Sequence, residues 1–158
     1  MARVFITGSA DGLGRLAAQT LLEDGHEVVV HARNRDRLTA VRDLVDRGAT
    51  AVVGDLSDVE ETRGIARDVN RLGPMDAVIH NAGVYTRPDV MPVNIVAPYL
   101  LTALIDRPQR LVYLSSGAHR SGRASINRVD WSGRTTGSLR QQALRHHARS
   151  HHRSAMAW

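Results

Sequence analysis

VFITGSADGLGRLAAQTLLEDG, residues Val4 to Gly25, is the segment whose reading decides the fold. Val4–Thr7 is a short apolar run that halts at a glycine, as a buried strand does. From Leu13 to Glu23, apolar residues fall at 13, 16, 17, 18, 21 and 22, a helical period. Gly25 is the stop that follows. Gly8, Ser9, Ala10, Asp11, Gly12, Leu13 and Gly14 bridge strand and helix. Glycines there permit a tight turn and a close approach of backbone to phosphate. The helix start adds N–H groups and partial positive charge. Taken alone, the loop also reads as an ordinary strand–helix turn.

The alternation continues outward from that segment. Val28–Ala32 is a second strand, and residues 34–47 form a helix with Leu38, Val41, Leu44 and Val45 on one face and Gly48 as its stop. Thr50–Leu56 is a third strand. Ser57-Asp58-Val59-Glu60 is a capping box that opens a helix closing at Gly73-Pro74. Asp76–His80 is a fourth strand, Val93–Ile105 a helix interrupted or entered at Pro98, and Arg110–Ser116 a fifth strand. Strands alternating with helices imply an α/β fold: a doubly wound, Rossmann-like parallel sheet of about five strands. Ligands of such sheets bind at the carboxyl ends of the strands. Those ends are the loops at 7–14, 32–35, 54–56, 80–84 and 115–119.

Composition narrows the function classes. The chain has 158 residues, 42% of them hydrophobic, enough for one domain with a real core. It has no cysteine, which removes disulfides and thiolate metal sites. No apolar run approaches bilayer length, and the start does not read as a secretory signal, so the expected location is cytoplasmic with no membrane partner. The net charge of +5 is unevenly spread. Residues 1–119 carry 13 Arg against 15 acidic residues, whereas residues 120–158 carry eight Arg against Asp130 alone. All 21 basic residues are arginine; there is no lysine.

Four ordered motifs point further: Thr7-Gly8 with Gly12 and Gly14, Asp55-Leu56 after the third strand, Asn81-Ala82-Gly83 after the fourth, and Ser115-Ser116-Gly117 after the fifth. Together they resemble the short-chain dehydrogenase/reductase family. The resemblance implies an NAD(P)-dependent oxidoreductase acting on a small carbonyl or alcohol. It implies a pyrophosphate turn at Gly8, Ser9, Asp11, Gly12, Leu13 and Gly14, and adenine contacts at Asp55 and Leu56. Asn81, Ala82 and Gly83 would line the cofactor cleft, with His80 in place of a more usual asparagine. Ser116 matches the family's catalytic serine, and Asn94 its helix asparagine. Cofactor choice follows from charge. An acid ending the second strand would hold a ribose 2′-hydroxyl and repel a 2′-phosphate. His31-Ala32-Arg33-Asn34 has none there, and Arg33 can pair with a phosphate. NADP(H) is therefore expected in preference to NAD(H), with a solvated arginine at a helix start as the alternative.

The chain also departs from the pattern. The family's acid–base pair is Tyr-x-x-x-Lys, the lysine lowering the pKa of a phenol that is otherwise about 10. This chain has Tyr85, Tyr99 and Tyr113, none after Ser116, and no lysine. Asn94 stands only thirteen residues after Asn81, closer than the family pattern. Family members continue through further helices, strands and a substrate lid, so the sheet is expected to be C-terminally truncated and the family's homo-oligomer interface lost.

Residues 1–131 then form an NADP(H)-binding Rossmann-like domain and 132–158 a basic Arg/His-rich tail. One permitted set of codons, with third bases freely chosen, gives the tail a second reading. Gly137–Arg145 written GGC AGC CTA CGC CAG CAA GCT CTA CGT, read one nucleotide later, gives Ala-Ala-Tyr-Ala-Ser-Lys-Leu-Tyr. That contains the missing Tyr-x-x-x-Lys, so the hypothesis is a change of reading frame after about Trp131; without that pair the chain is expected to be catalytically disabled as written. His147 and His151, at i,i+4, could bind a metal, but no carboxylate is nearby, and no metal site is expected. No aromatic interleaving supports specific nucleic-acid recognition. A non-catalytic NADP(H)-binding regulatory module and a basic-tail interaction protein are the alternative functions.

Overall fold

The computed structural model describes residues 1–85 and 88–116. The tail, its histidines and the boundary at 131 lie outside them. The chain divides into two units, one of Met1–Ala82 with Ala97–Leu114, the other of Gly83–Val96 with the chain from Ser115.

The first unit holds the sheet. Its strands are β1 (Arg3–Ile6), β2 (Glu27–Ala32), β3 (Thr50–Val53), β4 (Ala77–His80) and β5 (Arg110–Tyr113). They are ordered β3-β2-β1-β4-β5, all parallel. This is the expected doubly wound arrangement, with the switch of direction beside β1. Neighbouring residues of the central strands are buried on opposite faces, Val4 and Ile6 on one side and Phe5 on the other. Val4, Ile6, Val28 and Val30 share a core with Ala18, Val41 and Leu44 of the first two helical segments. Helices α1 (Gly12–Glu23), α2 (Arg42–Asp46), α3 (Val59–Arg71) and α4 (Ala97–Leu104) cover the sheet, with α1 beside α2 and α3 beside α4. No helix among the described residues is long and apolar enough to cross a membrane.

Several elements differ from expectation. The helix expected over 34–47 is instead a 3-10 segment at Asp36–Val41 followed by the short α2. Arg15 of α1 takes the Ala40 carbonyl, and the Thr39 hydroxyl donates back to the Asp36 carbonyl at 2.9 Å. Val45, expected on the apolar face, is exposed, as are Leu13 and Leu16 of α1. The α3 cap is Asp58, not Ser57: the Asp58 carboxylate accepts from the Glu61 N–H at 2.9 Å. The Ser57 hydroxyl donates instead to Asp55.

In the second unit, a π-helical turn spans Pro92–Val96. Asn94 within it is 2% exposed and bonds residue 84 twice. Its Oδ1 accepts from the Val84 N–H at 2.9 Å and its Nδ2 donates to the Val84 carbonyl at 2.8 Å.

Candidate functional site

The expected loops of the first unit meet at the carboxyl ends of β1, β2, β3 and β4. The turn after β1 is built around absent side chains. Gly8 has φ of +66° and Gly12 of +53°, a backbone region that disfavours L side chains. A Cβ on Gly8 would stand 2.9 Å from the Ala82 Cα. A Cβ on Gly14 would lie 2.5 Å from the Gly8 carbonyl oxygen and collide with the Asn81 amide. Around Gly12 the space is open. Asp11 is the N-cap of α1, its carbonyl accepting from the Arg15 N–H at 3.2 Å, but its side chain makes no capping bond; the carboxylate is turned to Arg37 at 2.7 Å.

Side chains from both flanking strands fix this turn. Asn81, after β4, donates its Nδ2 to the carbonyls of Thr7 at 3.0 Å and Gly8 at 2.9 Å. Thr7 is buried, and its hydroxyl oxygen accepts from the N–H groups of Asn81 and Ala82 at 3.1 and 3.0 Å. The Ser9 hydroxyl donates to the Ile6 carbonyl at 2.7 Å and accepts from the His31 N–H at 2.8 Å. From β2, the His31 Nδ1 accepts from the Gly8 N–H at 3.1 Å, while Nε2 lies 2.8 Å from the Gly54 carbonyl oxygen. Burial holds the His31 imidazole below its ordinary pKa, against the raising effects of the Gly54 carbonyl and the Asp55 charge.

Around the ends of β2 and β3, Arg33 and Asp55 form an ion pair at 2.8 Å, with Arg33 about half exposed. Partial burial pushes the Asp55 carboxyl up. The N–H and hydroxyl of Ser57, and the Arg33 guanidinium, outweigh that and hold it below the usual range. Asn34 is exposed, and its Oδ1 accepts from the Arg37 N–H at 3.0 Å. Leu56 is buried.

His80 is buried at the end of β4, stacked on Tyr113 with ring centroids 4.7 Å apart. Thr102 Oγ1 lies 3.1 Å from the His80 Nε2 and 2.6 Å from the Tyr113 hydroxyl oxygen. These bonds join α4 to β4 and β5. Gly83, Asn94 and the half-buried Ser116 belong to the second unit. The structure thus brings together Gly8, Ser9, Gly14, Asn81 and Ala82, and separately Arg33 with Asp55. It also adds Thr7 and His31, which sequence reasoning gave no site role. A hydroxyl before the first glycine and a polar residue within an otherwise apolar strand were their signals.

Residues 2–107 match a protein-family model described as short chain dehydrogenase. Among curated proteins, the chain is 43% identical over 145 residues to an uncharacterized oxidoreductase of Emericella nidulans, covering 84% of this chain and 57% of that protein. It is 38% identical over 140 residues to the short-chain dehydrogenase chyC of Penicillium rubens, covering 83% and 54%. The chain therefore spans just over half the length of these relatives. Among solved structures, a short-chain dehydrogenase from Streptomyces avermitilis superposes with a TM-score of 0.78 at 23% identity, covering 99% of this chain and 62% of that one. The Pseudomonas aeruginosa RhlG/NADP complex superposes with a TM-score of 0.73 at 22% identity, covering 93% and 64%.

Proposed function

Because this chain belongs to the short-chain dehydrogenase family, we propose that it binds a nicotinamide dinucleotide at the turn after β1, taking NADP(H) in preference to NAD(H). The observation that carries this reading is the turn itself. Gly8 and Gly14 leave no room for a Cβ, Gly12 faces open space, and the side chain of Asp11, the N-cap of α1, makes no capping bond. Such a cradle lets backbone N–H groups approach a pyrophosphate at a helix start. Gly8, Ser9, Asp11, Gly12, Leu13 and Gly14 would hold it. Asn81 and Ala82 would flank the cleft, and Asp55 and Leu56 would stand at the adenine.

Arg33 supports NADP(H), since β2 ends with no acid to hold a free 2′-hydroxyl. The Asp55 carboxylate paired with Arg33 is the feature that opposes a phosphate there. When bound, the nicotinamide supplies the hydride donor or acceptor for a small carbonyl or alcohol. Ser116 would donate a hydrogen bond to the substrate oxygen, with Asn94 near it; these two and Gly83 carry over from the family pattern alone. With no lysine and no tyrosine beyond Tyr113, the chain has no activated phenol to exchange the substrate proton. We place hydride transfer by these 158 residues far below an ordinary enzymatic rate.

Titration of the chain with NADPH and NADH tests the binding. Arg33→Asp should weaken NADPH at least about tenfold more than NADH, since a charge-assisted hydrogen bond contributes about 1.5–3 kcal/mol. Equal losses for the two cofactors would overturn the preference, and NADPH oxidation by a carbonyl at an ordinary rate would overturn the disabled reading. Sequencing the gene through the codons for 132–158 tests the frame reading; an intact frame there removes it.

A further inference from the structure

We propose that His31 is a positioning residue of the dinucleotide site, locking the turn after β1 to the end of β3 as the neutral, Nε2-protonated imidazole. The proposal rests on that turn being where the dinucleotide binds. His31 is 3% exposed. Its main chain holds Ser9 twice: the His31 N–H donates to the Ser9 hydroxyl oxygen at 2.8 Å, and the Ser9 N–H donates to the His31 carbonyl at 3.3 Å. Its ring reaches Gly8 on one side and Gly54 on the other.

Only one protonation state satisfies both ring contacts. The Gly8 N–H is a fixed donor, so Nδ1 must offer a lone pair. The Gly54 carbonyl is a fixed acceptor, so Nε2 must carry the proton. An imidazolium would aim Nδ1–H at the Gly8 N–H, two donors facing each other, and would place a charge on a ring that is 3% exposed. Gly8 sits at φ +66°, and its carbonyl accepts from the Asn81 Nδ2 at 2.9 Å. His31 and Asn81 therefore grip the two ends of Gly8 from β2 and from the end of β4.

Charged groups at the strand ends near the ring include Asp55, which favours the imidazolium, Arg33, which is paired to Asp55, and Glu61, whose carboxylate accepts from the Asp55 N–H at 2.7 Å. On the side facing the turn, the ring's hydrogen-bond partner is the Gly8 N–H. Burial outweighs the Asp55 field, so His31 is neutral near pH 7 and gains a proton only below its ordinary value of 6.5. Affinity for the dinucleotide is then level at neutral and alkaline pH. It falls as acid protonates the ring and the Gly8 bond opens.

The test titrates NADP⁺ into the full chain and two variants between about pH 8 and pH 5, a range that brackets free imidazole. His31→Asn keeps an acceptor toward Gly8 but does not titrate; His31→Phe keeps the volume and neither bond. The ligand's own 2′-phosphate titrates here too, so the informative quantity is the ratio of wild type to His31→Asn, in which it cancels. We expect His31→Phe to bind about tenfold more weakly at every pH, the loss of one well-placed hydrogen bond. We expect the wild type, but not His31→Asn, to lose affinity in acid. Identical affinities and profiles for all three would overturn the proposal.

A second measurement stands apart from cofactor binding. In ¹⁵N NMR of the wild type near pH 7, His31 should be the Nε2–H tautomer and the Gly8 amide protected from exchange. An Nδ1–H tautomer or an imidazolium overturns the lock. If the wild type binds no dinucleotide while the Nε2–H tautomer and Gly8 protection are seen, the lock is supported and the cofactor reading is the one that fails.

Discussion

Gly14 shows how much a single hydrogen atom in place of a side chain decides. Helix propensity alone favours alanine there by about 1 kcal/mol. A Cβ, however, would press on the Gly8 carbonyl and the Asn81 amide, the two groups that shape the turn. Overpacking of this kind costs about 1–3 kcal/mol; the Gly8 carbonyl is main chain, and the Asn81 amide is a side-chain end tied to the Thr7 and Gly8 carbonyls. Gly14→Ala is therefore expected to lower stability in urea unfolding despite its better propensity, and to abolish NADPH binding. A more stable variant that still binds would contradict the role given to the turn. Gly8, Gly12 and Gly14 were legible because glycine spacing after a strand is a local pattern. Thr7 and His31 were not, because their partners, Asn81 with Ala82 and Gly54, lie far along the chain.

At the level of elements, a helical period located α1, a capping motif and a Gly-Pro stop located α3, and short apolar runs located the five strands. Boundaries followed tertiary competition instead. Asp55 draws the Ser57 N–H and hydroxyl, so the α3 cap falls one residue later, on Asp58. Asp58→Ala should then lower stability by about 1 kcal/mol, read as a shift of the denaturation midpoint. Ser57→Ala should leave the α3 cap intact. A larger loss of α3 helicity for Ser57→Ala than for Asp58→Ala would restore the capping box expected from the sequence. Where a helix was expected over 34–47, a 3-10 segment meets the short α2, and at their junction Arg15 from α1 donates to the Ala40 carbonyl, a partner 25 residues away that no local pattern announces.

For the whole molecule, the buried ring and the paired carboxylates set the response to acid. The native state holds His31 neutral, so the unfolded chain binds that proton more readily, and stability falls as pH drops below 6.5. The slope is at most about 1.4 kcal/mol per pH unit, one proton's worth. Asp43 is held below its usual range first by the hydrogen bond from Arg15, and Asp55 by the groups already described. Their contribution is present above their ordinary 3.8 and is lost as pH falls further. Denaturation midpoints should therefore decline in two stages, the first removed by His31→Asn. A level profile from pH 7 to about pH 5 would contradict a neutral buried His31. The sequence by itself determined the alternation of strand and helix, the parallel sheet and the glycine turn. These follow from hydrophobic period and backbone freedom, which are properties of adjacent residues. Only the tertiary structure decided that Arg33 faces Asp55, that Asn81 and His31 share the hold on Gly8, and that Asp58 caps α3. A hydrogen bond or ion pair forms between whichever groups the packed core brings within reach, and parallel strands bring together residues that the chain itself keeps far apart.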